Sequence, residues 1–399
     1  MTRRGATLPL LRGNTTLESA LEQEEDVLLD LDYPEHRVDS FVLLYSNRND
    51  IEHIASYHLG LDPSDTCRTG HVNEWVQDSF NVCIPLYVNK HGQDLGKRAL
   101  IRFPLPYKIG EFKNPGNVDE KLRCEAATFI WIHTHCPEIP IPQLWGFGLV
   151  GGQSFAKPEN ISLGTRLLWT LKRSIVWLLG LSLPCPYIPH QRLALLETGL
   201  KALLPHFSNK ELREGPFLYR LTDLHPSNIF VNSDWNVKVV IDLEWACSLP
   251  AETLRPPYWL TGCSVDELTG EHLETFSEAY EEFVGVFEEE EKQISPINND
   301  HSYRTNLMRN GWQIGNFWYF HALDSPKGLF NLFSQHIYPL FAPSSQSKDD
   351  FARVVSNFWA PDVGKVLAAK LRDKEEYERS LCQRFKDAVG DEDRDSEHL

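Results

Sequence analysis

Asp223, Asn228 and Asp242 are the residues of this 399-residue chain whose types and spacing could do chemistry together. Asp223 and Asn228 stand five apart in Leu221-Thr-Asp-Leu-His-Pro-Ser-Asn, a loop that Pro226 closes. Asn228 leads into an apolar run from Ile229 to Val231, a turn at Ser233-Asp234 and a second run from Val237 to Ile241. A hairpin of that length returns Asp242 beside the loop that holds Asn228. Such an oxygen pair suits Mg²⁺, a hard ion usually held by few protein oxygens plus substrate phosphates. Asp223, outside the pair, can accept a proton from a hydroxyl attacking a γ-phosphate. Ordinary turn carboxylates on a surface hairpin are the alternative. The three positions, both runs and the turn agree on the first reading.

The elements that must position these residues follow from periodicity and turn chemistry. A helix is expected from Asn49 to His58, ended by Gly60, and two short strands over 80–88 and 98–103 joined by the turn-rich segment 89–97. Val118, Leu122, Ala126, Phe129, Ile130 and His133 fall at helical spacing, so 118–135 reads as an amphipathic helix. Another strand is expected over 143–150, and helices at 162–182, 191–206, 264–292, 303–321 and 363–388. The stripe Leu273, Phe276, Tyr280, Phe283 and Phe287 faces a core, and the nine glutamates of 271–291 read as a solvated face. Four divisions result: an acidic flexible arm (1–40), a strand-rich N-lobe (41–150), a helical C-lobe (151–389) carrying the loop 221–245, and a disordered charged tail (390–399).

Composition narrows the function classes. A hydrophobic content of 42% with 11% aromatic residues is globular. The formal net charge of −17 argues against sequence-independent nucleic-acid binding, which depends on basic side chains neutralising phosphates. Arg166, Lys172 and Arg173 interrupt the most apolar stretch, so no transmembrane segment is expected. Eight scattered cysteines without a secretory signal read as reduced thiols of a soluble, cytoplasmic chain.

Further blocks carry a resemblance. They are Ser79-Phe-Asn-Val-Cys83, Leu100-Ile-Arg-Phe-Pro104, Arg123-Cys-Glu-Ala126, Pro140-Ile-Pro142 with Gly146-Phe-Gly148, Thr222–Asn228, Ile241–Trp245 and Pro256-Pro-Tyr-Trp-Leu260. Over roughly 50–345 the chain resembles the aminoglycoside phosphotransferase-like (phosphotransferase enzyme) family, in particular its fungal branch. The aspartate-to-asparagine spacing is that of the kinase catalytic loop. The resemblance implies an α+β, protein-kinase-like two-lobed fold and ATP- and Mg²⁺-dependent transfer of a γ-phosphoryl group to a small-molecule hydroxyl. It implies Asp223 as catalytic base and Asn228 and Asp242 as metal ligands. It also sets Arg102 in the place of the strand lysine that holds nucleotide phosphates, and Glu125 in the place of its helix partner. A guanidinium is forked and planar, so that exchange is not neutral. A surface ion pair is the alternative for Arg102 and Glu125.

Three departures accompany it. Leu221 stands where kinase loops carry histidine. No glycine-rich loop precedes the strands, so residues 70–81 would have to cover the phosphates with backbone amides near Ser79. Between Val150 and Asp223 only 72 residues intervene, with no clear strand-plus-hinge for an adenine, as though an internal block were lost near Gly199. Loss of that hinge is the basis of a rival reading, a non-catalytic kinase-like binding module. Replacement of Asp-Phe-Gly by Asp242-Leu-Glu244 disfavours a protein kinase. Weaker signals read as structural: Gly92–Arg98 as a turn instead of a P-loop, His133 and His135 as a helix end, His225 as a loop residue, and Trp245 and Trp259 as core.

Overall fold

The computed structural model describes residues 7–23, 26–149, 154–156, 203–212, 214–294, 296–297, 299–325, 328–341 and 363–396. They form a mixed α+β chain with a small antiparallel sheet and a helical part, divided into two compact units. The first takes the described residues of 7–16, 27–156 and 221–247; the second takes those of 17–26, 203–220 and 248–396. The hairpin that carries Asn228 and Asp242 therefore groups with the strand-rich part and not with the helical C-lobe in which the sequence reading set it.

The first unit opens with the hairpin β1 (Thr7–Pro9) and β2 (Asn14–Thr16), followed by α1 (Val27–Ser46) and α2 (Arg48–His58). Within the expected arm the described residues 7–23 and 26–40 include these strands and the first turns of α1. Val27, Leu31 and Tyr33 of α1 are buried, and Tyr33 packs with Ile51, Trp75, Val82 and Ile84. Asp30, Asp32, Glu35 and Asp39, spread along α1, hid that apolar face. The sheet is built on β5 (Asn81–Lys90), which pairs along one edge with β3 (Thr66–Thr69) and β4 (Val76–Gln77), and along the other with β6 (Gln93–Pro104). Val82, Ile84, Leu86 and Val88 alternate on the buried face of β5, as a half-buried strand requires. Both strands run longer than expected because the turn is tight: His91 and Gly92 take positive φ, the conformation a two-residue hairpin turn demands.

The helix α3 (Asn117–His135) follows, one residue longer than its periodicity predicts. Glu111 caps it from outside, its carboxylate accepting from the Gly116 and Val118 amides at 2.7 and 2.8 Å. The 143–150 strand shortens to β7 (Gly146–Gly148), which pairs with β8 (Ser154–Ala156). A strand therefore does follow the Gly-Phe-Gly segment. The expected helix 162–182, most of 191–206 and the break near Gly199 lie outside the described residues. The second hairpin, β9 (Ile229–Val231) and β10 (Val237–Val240), matches its expected limits to within one residue. Val240 and Leu243 pack with Ile132 of α3.

The second unit centres on α4 (Gly270–Glu291), α5 (Tyr303–Ile314) and α6 (Asn316–Asp324), whose Phe276, Tyr280, Val284, Met308 and Phe317 share one core. The expected 303–321 helix breaks at Gly315, where φ is +88° and an added Cβ would lie 2.9 Å from Leu340 Cδ1. Glu291 departs from its solvated-face reading. It is buried and accepts from the amides of Arg304 and Thr305, capping α5. The last helix, α7 (Val363–Ser396), continues through most of the segment expected to be a disordered tail. Among the described residues no helix is long and apolar enough to cross a membrane, and no described cysteine is in a disulfide.

Candidate active site

Asn228 and Asp242 are brought together by backbone pairing alone. Pro226–Asn228 form one 3-10 turn, closed by Asn228 N donating to His225 O at 2.9 Å. Ile229 pairs with Val240, and Ile241 N donates to Asn228 O at 2.9 Å. The next residue, Asp242, takes φ +62°, a strained conformation for a non-glycine residue, and turns the chain sharply there. Asn228 Nδ2 donates to Asp223 O at 3.2 Å, which ties the backbone of Asp223 to the hairpin. The local geometry read from the sequence is therefore present: Asp223, Asn228 and Asp242 share one loop cluster within the first unit.

Arg102, on β6, faces the same cluster. Its Nη1 donates to Glu125 Oε1 of α3 at 2.6 Å, so the expected strand–helix pair forms as a half-buried contact and not as a surface one. Its Nη2 is shared, lying 3.2 Å from Asp78 Oδ2, 3.4 Å from Asp242 Oδ1 and 3.5 Å from Glu244 Oε2. Burial pulls the guanidinium's pKa down, but Glu125, Glu244 and Asp78 outweigh it and raise it overall, so Arg102 is a fixed cation. Burial pushes Glu125 up against the opposing pull of Arg102 and Lys121. Partial burial likewise raises Asp223, aided by the Asp242 and Glu244 carboxylates, while His225 opposes the shift.

Four participants were missed in the sequence. Lys121, one helical turn before Glu125, is buried and pairs with the buried Glu244, while its Nζ also donates to Asn81 Oδ1 at 2.9 Å. Asn81 and Asp78 complete the group. The signal for Lys121 was its i,i+4 spacing to Glu125, which sets both on one helix face. Within this cluster five carboxyl side chains (Asp78, Glu125, Asp223, Asp242 and Glu244) stand with two basic ones, Arg102 and Lys121.

Ser79 is exposed in the turn before β5. The amides beside it do not form the open cradle expected of residues 70–81. Phe80 N and Asn81 N donate to Asp78 Oδ1 at 2.8 and 2.5 Å, so the chain's own carboxylate occupies them. Gly70, in the same segment, is required by packing: a Cβ there would meet Pro85 Cγ at 2.6 Å.

Hard oxygens from Asn228 and Asp242 fit Mg²⁺ in donor type, and the bond from Asn228 Nδ2 to Asp223 O turns Asn228 Oδ1 away from that carbonyl. A separate trio, Asp62, Asp65 and His91, gathers metal-type side chains, but Asp65 already accepts from His91 N and Asp62 N and braces its loop. No protein-family model, curated protein or solved structure matches this chain.

Proposed function

We propose that this chain is a phosphotransferase of the aminoglycoside phosphotransferase-like type, with a protein-kinase-like two-lobed fold, which moves the γ-phosphoryl group of ATP to a hydroxyl of a small molecule. The observation that carries the reading is the convergence of Asp223, Asn228, Asp242 and the Arg102–Glu125 pair on one cluster from separate segments. Surface turn carboxylates have no reason to collect a strand arginine and a half-buried helix carboxylate.

In this reading Asn228 and Asp242 would hold Mg²⁺, which when bound neutralises phosphate charge. Glu125 orients Arg102 by its 2.6 Å bond, and Arg102 holds a phosphate oxygen through the Nη2 it otherwise shares among carboxylates. Asp223 accepts the proton of the attacking hydroxyl. Burial and the neighbouring Asp242 and Glu244 carboxylates raise its pKa, the direction that makes a carboxylate a stronger base. Transfer in such sites is mostly positioning and charge neutralisation, so few residues suffice.

A non-catalytic binding module is the second reading. Asp78's hold on the Phe80 and Asn81 amides favours it, because an open amide cradle for phosphate is then missing. Thermal denaturation separates the two. Mg²⁺ with ATP raises the melting temperature of the wild type, since a ligand of the native state alone stabilises it. Asp242→Asn removes the charged metal ligand and abolishes the shift. An undiminished shift in that variant refutes the metal role, and no shift in the wild type favours the binding module.

A further inference from the structure

Asp78 makes the contacts of a bound anion. Its Oδ1 accepts from Phe80 N and Asn81 N at 2.8 and 2.5 Å, and Asn81 Nδ2 lies 3.2 and 3.1 Å from its two oxygens. Its Oδ2 accepts from Arg102 Nη2 at 3.2 Å. Successive main-chain amides and a guanidinium are the donors that recognise a phosphate oxygen. A local turn explains the two amides. It does not explain Arg102, which comes from β6, 24 residues along the chain, and whose same nitrogen also faces Asp242.

We propose that Asp78 is a specificity-setting residue whose carboxylate stands in for a nucleotide phosphate, so that a phosphate reaches Phe80, Asn81 and Arg102 only by displacing it. The inference rests on the nucleotide reading above and deepens it. Displacement leaves an anionic side chain near the incoming anionic phosphates, in a cluster already rich in carboxylates. The site therefore favours a polyphosphate whose charge a divalent cation has reduced, and binds a free one poorly. The competition concerns phosphate and not the base, so it acts alike on any ligand with a triphosphate chain.

Asp78→Asn tests this directly. It keeps the size and the turn-forming oxygen and removes the charge. Calorimetric titration of the full chain with ATP and with inorganic triphosphate, both with Mg²⁺, is run on wild type and variant. The expected result is about tenfold tighter binding of both ligands by the variant, which corresponds to about 1.4 kcal/mol. Asp78→Ser, which also retains a turn-forming oxygen, gives the same gain and covers the case in which the asparagine variant does not fold. Equal or weaker binding by the folded variants, with binding by the wild type intact, makes Asp78 a loop brace and overturns the inference while the nucleotide reading stands. Absence of binding by wild type and variants overturns both.

Discussion

Lys121 and Glu244 are buried and pair with each other. Removing Lys121 takes the nearest cation from a buried carboxylate that Arg102 reaches only at 3.5 Å, and breaking a buried pair from one side costs about 3–5 kcal/mol. Lys121→Met is expected to destabilise the chain by about that amount in denaturant titration. Replacing both partners with methionine restores most of the loss, because two apolar groups of similar volume need no compensation. A single variant within about 1 kcal/mol of wild type would show that the pair is solvated. The pair also bears on the site, since Glu244 Oε2 touches both Lys121 and Arg102 and so helps fix the guanidinium beside Asp242.

At the scale of elements, the second unit carries two histidines that fold in the neutral form. Burial lowers His336 to about 4, against a backbone hydrogen bond to Leu268 that opposes the shift, and its ring stacks 3.6 Å from Trp318. Burial, with Arg255 and Arg220 nearby, lowers His321 well below its ordinary value. Depressed folded values mean that the unfolded chain takes up protons first, so stability falls as pH drops through about 6.5 toward 4. Melting temperature should decline over that window, and His336→Gln should make the decline shallower. An unchanged slope in the variant would remove His336 as a cause. The elements themselves were largely legible. The α3 helix and the 229–240 hairpin declared themselves through spacing of 3.6 and through short apolar runs around a turn, signals that tertiary packing reinforced. The order of 27–40 was not legible, because its acidic residues dominate the composition while its buried positions are few. The break at Gly315 was hidden inside a run of apolar periodicity that continues on both sides of it.

The same contrast holds for the site. Asp223, Asn228 and Asp242 could be read because chemistry and backbone pairing act over one short stretch. Lys121, Glu244 and Asp78 could not, since a lysine on a helix or an aspartate before a turn normally faces solvent. Their roles come from contacts between segments far apart in sequence.

For the whole molecule, the proposed function sets a net charge of −17 and a carboxylate-rich cluster against a polyanionic ligand, so in that reading a divalent cation decides binding. The measurement that tests this most directly is calorimetric titration of the full-length wild type with ATP, once with Mg²⁺ and once with a chelator. The account predicts saturable binding with Mg²⁺ and affinity at least about tenfold weaker without it, or about 1.4 kcal/mol. No binding in Mg²⁺, or the same affinity in the chelator, would contradict it.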